Sequence, residues 1–133
     1  AKTQADVTAV ALALDADGKI VAISIDVVQA KATVDADGVV TVAEDVKTKR
    51  ELGDDYNMKK YASPAAVGAG YEQANAFEAY CIGKTADEVA GMPLGENAHG
   101  YTDAPAAEEL KSTCTISVTA FLNAIAKAAA NAK

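Results

Sequence analysis

The chain has 133 residues, enough for one folding unit that buries about two-thirds of the surface its unfolded form exposes. Half of the residues are hydrophobic, but roughly a quarter are Ala, with no Trp and only two Phe, so a core here takes its bulk from Val, Ile and Leu. The formal charge of −7 repels polyanions and argues against nucleic-acid binding, and no run approaches the roughly 18 apolar residues of a membrane-spanning helix.

The first elements surround a tetrapeptide that occurs twice. DADG stands at 15–18 and again at 35–38, each time between runs rich in β-formers. Asp-Gly between alternating apolar residues signals a hairpin, because Gly supplies the positive φ that the turn needs. In the run after the first copy, Val21, Ile23, Ile25 and Val27 share one face and Ser24 and Asp26 the other. Residues 5–43 therefore read as an antiparallel meander of about four strands. Asp15 and Asp17 fit two positions of a calcium loop, but Lys19 and the strand that follows supply no further oxygens, so the aspartates are read as turn formers.

Period is lost over 44–67, in the stretch that contains KTKRELGDDYNMKKY. It returns as a helix, with Tyr71, Ala74, Phe77 and Cys81 in one stripe and Gly83 as the stop. Thr85 and Glu88 are spaced as a capping box, which predicts a short helix from Ala86 to Ala90. Residues 91–105 read as a Gly- and Pro-rich loop, with a helical turn starting near Asp103 and Pro105. Residues 113–118 look like a strand with Thr113, Thr115 and Ser117 on one face and Cys114, Ile116 and Val118 on the other. From about Val118 the pattern is helical, with Phe121, Leu122, Ile125, Ala128 and Ala129 on the apolar side. The fold class that results is α+β: an antiparallel sheet first, helices packed on it, and a C-terminal strand-helix unit, all in one domain over 1–133.

Several chemical readings fail on spacing. GKT at 83–85 resembles the end of a phosphate-binding loop, but Glu78 stands where the first Gly is needed. His99 is the only histidine and has no partner in the sequence pattern, and the ligand spacing of a metal site is missing. Cys81 and Cys114 are either one bridge or two small buried side chains. The hydroxyl row before the last helix carries more. A helix N-terminus presents unpaired N–H groups and the positive end of a dipole. Ser117 and Thr119 either bond a phosphate held there or cap the helix themselves.

STCTISVTAFLNAIAKA resembles the C-terminal signature of the FMN-binding domain family, which includes peripheral subunits of sodium-pumping quinone reductases and bacterial membrane-anchored lipoproteins. Ser112, Cys114 and Thr115 stand where that signature has Ser, Ala and Thr, and Thr113 stands where it has Gly. Glu51, Leu52 and Gly53 are similar to a shortened form of the family's Glu-Thr-Pro-Gly-Leu-Gly loop, and AFEAYCIGK to its helix that ends in Gly-Lys. TKRELGDDYNMK also resembles lipoprotein domains of gut Firmicutes. The resemblance implies an extracytoplasmic, membrane-anchored domain that binds FMN for electron transfer, with Thr115 as the residue that takes the flavin phosphate covalently. Its alternative is a surface scaffold or adhesion domain that has lost the flavin site. An isoalloxazine ring needs an apolar slot and a few polar contacts. Tyr56 and Met58 either line such a slot or pin their loop to the core, and Gly53 lets the backbone come close. The loop at 47–61 is accordingly expected to form a wall of a cleft that faces the start of the last helix.

Overall fold

Two Asp-Gly turns set the first third of the chain, and the computed structural model, which describes residues 1–56 and 67–133, shows how they do it. One oxygen of Asp15 accepts the amides of Asp17 and Lys19, each at 2.9 Å, and Asp35 does the same for Asp37 and Val39 at 2.9 Å. Gly18 and Gly38 close the turns with φ of 76° and 81°, a region that costs a residue with Cβ far more than Gly.

These turns join β1 (Lys2–Leu14), β2 (Ile20–Val34) and β3 (Val40–Val42) into an antiparallel sheet of order β1-β2-β3. Three strands form where about four are expected, because 20–27 and 31–34 belong to one strand: nothing in VVQAK interrupts its alternation. β1 and β2 pair from Lys2↔Thr33 to Leu14↔Ile20, with a register shift at Ala13/Leu14. That irregularity corrects the face assigned to Val21. Ile20 is fully buried and Val21 is 53% exposed, while Ile25 keeps its place in the core.

The sheet outreaches the core. Lys2–Val7 and the whole of β3 are exposed, whereas Ile20 and Ile25 pack with Phe77, Leu110, Val118 and Ile125. The helices supply that packing. α1 (Lys49–Leu52) starts from a capping box of Thr48 and Glu51 and continues as a 3-10 turn over Gly53–Tyr56. α2 (Gly70–Cys81) buries Gln73, Ala74, Phe77 and Cys81, and Gly83 follows its C-cap with φ of 80°. α3 (Ala86–Ala90) forms on the Thr85–Glu88 box as its sequence predicts. The expected loop at 91–105 contains a minimal pair, β4 (Leu94–Gly95) with β5 (Ala104–Pro105). The helical turn expected near Asp103 begins after Ala107 instead, where Leu110 and Lys111 donate back to the Ala107 carbonyl. α4 (Thr119–Ala130) packs against β1, with Phe121 and Ile125 buried. The fold is α+β.

The strand expected at 113–118 does not form. Cys114 and Val118 point inward, as the alternation requires, but the backbone bonds of the segment go elsewhere: Cys114 donates to the Leu110 carbonyl and Val118 to that of Asp103. The alternation is real, and the sheet partner that would make it a strand is missing among the described residues.

The outer edge of β2 is closed by short pieces and by side chains. Ile20 exchanges bonds with Gly83 and Lys84, Val28 bridges to Thr48, and β3 covers the far end. Ile25, in the gap, donates its amide to Glu78 Oε1 at 2.6 Å and receives Arg50 Nε on its carbonyl at 2.7 Å. Arg50 Nη2 bonds the same Glu78 oxygen at 2.5 Å. An ion pair thus replaces a neighbouring strand at one residue, and it fixes α1 against the sheet.

Candidate ligand cleft

A cleft of about 570 Å³ lies between the sheet, α1 and the start of α4. That volume falls within the range of small-molecule sites. Its floor is the core-facing side of the β1–β2 pair. Ile25 and Val27 form the apolar part, and Thr8 with the register partners Asp6 and Gln29 forms the polar end. One wall is Lys49, Arg50 and Tyr56, and the other is Ile116, Ser117, Ala120 and Phe121. Tyr71 on α2 and Tyr101, 59% exposed, complete a ring of four aromatic side chains with Tyr56 and Phe121.

Of the stretch 47–61 expected as a wall, Lys49, Arg50 and Tyr56 line the cleft, and 57–61 lies outside the described residues. Tyr56 reaches over the floor, where its hydroxyl donates to Gln29 Oε1 at 3.4 Å, a weak bond. Lys49 Nζ sits 4.7 Å from the centre of the Tyr56 ring. Each guanidinium nitrogen of Arg50 has one partner: beyond Ile25 and Glu78 it bonds Asn75 Oδ1 at 2.7 Å, and its backbone amide bonds Asp26 Oδ1 at 3.3 Å. Asp26 and Asp6 put two carboxylates on the cleft.

The opposite wall is held in place by two amide side chains. Gln73, 1% exposed, accepts the Thr115 amide at 2.9 Å and donates to the Gly68 carbonyl at 3.0 Å. Asn97 donates to the Thr115 carbonyl at 2.9 Å. Its oxygen also accepts the amides of His99 and Tyr101, at 2.9 and 3.1 Å, and Gly100 follows with φ of 80°. NAHGY is therefore a third copy of the Asp-Gly turn, with Asn in the first place because one end of the side chain must donate. Asn97→Asp should cost about 1–2 kcal/mol, since a carboxylate keeps the turn but sets an acceptor against the Thr115 carbonyl. Chemical unfolding of the variant beside Asn97→Ser measures that cost.

The start of α4 is occupied from within. Asp103 Oδ2 accepts the Ser117 hydroxyl, the Thr119 hydroxyl at 2.6 Å and the Thr119 amide at 3.3 Å. Those hydroxyls, Ser117 first, hold the Asp103 carboxyl below its ordinary value. The folded-state pKa being depressed, its contribution to stability is complete above about 3.9, the value of a free aspartate, and is lost as pH falls through the lower folded value. Asp103→Asn should therefore flatten the acid limb of the stability profile below that value, and unfolding of both proteins between pH 5 and 2 reads the difference.

The candidate residues named from the sequence separate into groups. Tyr56 and Ser117 line the cleft. Glu51 serves the α1 capping box, Gly53 takes φ of 50° at its end, and Leu52 is half-buried beside it. Ser112 and Thr113 are exposed, with the Thr113 hydroxyl donating to the Glu109 carbonyl. Thr115 is positioned by backbone bonds, and Thr119 is engaged by Asp103. Met58 lies outside the described residues. Lys49, Arg50, Tyr71, Tyr101 and Phe121 went unnamed as site residues. TKRE, spaced like TADE, was the available sign that a helical turn would aim Lys49 and Arg50.

An FMN molecule has two parts, and the residues treat them differently. The apolar floor and the four aromatic residues of the lining are of the residue types that an isoalloxazine slot needs. The groups named from the sequence for the phosphate are already engaged: the Thr119 amide and the Ser117 and Thr119 hydroxyls are taken by Asp103, and the Thr115 amide by Gln73. The cysteines offer no alternative chemistry. Both are free thiols in the core, and burial pushes Cys81 up to about 12 and Cys114 up to about 11, so neither is a thiolate at neutral pH. No family model matches the chain, and neither a curated protein nor a solved structure matches it, so the reading of this cleft rests on its own geometry.

Proposed function

We propose that the chain is a binding domain that takes a flat ring compound of the flavin type between α1 and the start of α4. The observation that carries this reading is the set of four aromatic side chains around an apolar floor, in a volume suited to one small molecule. The resemblance noted above supplies FMN, an extracytoplasmic setting and electron transfer as parts of the same proposal. The protein's part in it is to bind, orient and shield the ring, and redox chemistry belongs to a bound flavin. One observation favours the alternative of a surface scaffold without ligand: Asp103 already fills the position an anion would take.

Flavin fluorescence decides between the two. Titration of riboflavin with the protein should give saturable quenching, and Tyr101→Ala should weaken it about tenfold, the loss of one aromatic contact in a shielded site. Tyr101 is exposed, so its truncation leaves the fold intact. Quenching that never saturates, or that Tyr101→Ala leaves unchanged, rejects the ring-binding reading in favour of the scaffold.

A further inference from the structure

We infer that the cleft selects an uncharged ring ligand over its phosphorylated form, and that Asp103 is the residue that sets this preference. The inference rests on the ring-binding reading and adds a sign to it. Three sets of residues carry it.

The first is the wall at the start of α4. Ser117 faces the cleft and at the same time donates to Asp103. Asp103 stands behind Ser117 rather than on the cleft lining, so a phosphate approaching along this wall finds the Ser117 hydroxyl already donated to a carboxylate. The Thr119 amide and hydroxyl point to the same carboxylate oxygen. One step back, the Thr115 amide is committed to Gln73, whose side chain is buried and cannot swing away without leaving the Gly68 carbonyl unpaired.

The second is the facing wall. Each guanidinium nitrogen of Arg50 already bonds Ile25, Asn75 or Glu78, and a dianion would have to compete with the Glu78 carboxylate for its charge. Lys49 remains, and it lies over Tyr56. The third is acidic: Asp6 on the floor, and Asp26 at the β2 edge where it accepts the Arg50 amide, add negative charge in a chain that is already at −7. Among the described residues the lining thus holds two cations, Lys49 and the Glu78-paired Arg50, against the carboxylates of Asp6 and Asp26, with Asp103 behind the wall as a third. Moving a phosphate from water into such a place loses its hydration and gains repulsion. The same polar end suits neutral hydroxyls: Asp6, Gln29 and Thr8 offer acceptors and donors to a polyol chain.

Riboflavin and FMN form a matched pair of probes, with the same ring and side chain and one phosphate between them. The wild-type protein should bind riboflavin about tenfold or more tightly than FMN, by fluorescence quenching at low salt. Asp103→Ala frees the Thr119 amide and the two hydroxyls, so FMN should gain about tenfold while riboflavin changes less than about twofold. Asp103→Asn, which keeps a side chain in place without the charge, should fall between them and serves if the Ala variant does not fold. Wild-type protein that binds FMN as tightly as riboflavin overturns the inference, as does an Asp103→Ala protein with an unchanged ratio. If neither flavin binds, the ring-binding reading has failed and the preference inferred from it falls with it. Inorganic phosphate then tests the role of Asp103 alone, through the Thr119 amide resonance. A phosphate-dependent shift in Asp103→Ala and none in the wild type supports that role, and equal behaviour of the two proteins rejects it.

Discussion

Replacing Glu78 with Ala should lower the stability of the fold by about 3 kcal/mol, more than any other single change at the surface of the sheet. The Glu78 carboxylate has two partners with different consequences. Arg50 is a partly screened one: the two side chains keep 27% and 17% of their exposure, which limits their Coulomb attraction to about 1 kcal/mol. The Ile25 amide is the costly one, because Ile25 is 1% exposed and β1 cannot take a bond that points to the opposite edge. Removal of Glu78 leaves that N–H unpaired and strands the guanidinium beside it. Glu78→Gln keeps an acceptor for the amide and should cost only about 1 kcal/mol. Arg50→Met removes the cation but keeps the stem, so the double variant measures how much of the loss is shared. Urea unfolding followed by circular dichroism reads all four proteins. A Glu78→Ala protein within 1 kcal/mol or so of the wild type means that water satisfies Ile25 and that the side-chain clamp is not what closes the edge.

Gln73→Leu should cost about 2–4 kcal/mol and act on the other wall. Leu has nearly the volume of Gln, so packing beside Phe77 is kept. Two polar partners are lost at once, the Thr115 amide and the Gly68 carbonyl. Thr115 remains tied by its carbonyl to Asn97, so the segment loosens without detaching. The local signature is hydrogen exchange. The Thr115 amide should exchange about a hundredfold faster in the variant, relative to the Ile125 amide on α4. Unchanged protection at Thr115 contradicts the assignment of Gln73 as the residue that places this wall. Gln73→Glu separates the two bonds, since a carboxylate accepts from Thr115 and cannot donate to Gly68.

What the sequence made legible follows from how local each device is. The DADG turns close through a side chain and a Gly within five residues, and α3 through a capping box of four, so both could be read directly. α2 carries its stripe within one helix. Within 47–61, expected as a loop without period, α1 and its 3-10 turn are too short to show a period, and Lys49, Arg50 and Tyr56 line the cleft from them. The rest depends on partners far away. The segment 113–118 alternates like a strand, but Gln73 on α2 and Asn97 and Asp103 in the β4–β5 loop fix it from two distant places, and no window of sequence shows them together. Asp103 is the sharpest case. Its neighbours suggest the start of a helical turn, while its carboxylate serves a helix that begins sixteen residues later. Val21 differs from Ile20 only through a register shift set by the opposite strand. The third turn, NAHGY, was readable in principle, and its Asn hid it among Gly and Pro.

The central claim is that α1 and the start of α4 enclose one ring-binding cleft. Mapping of riboflavin-induced shifts on the amide and aromatic resonances of the protein tests it most directly. Changes should gather at Tyr56, Tyr71, Tyr101, Ser117 and Phe121, with Val40, Val42 and the outer alanines of β1 unmoved. Shifts confined to the exposed end of the sheet, or none at saturating riboflavin, would contradict it.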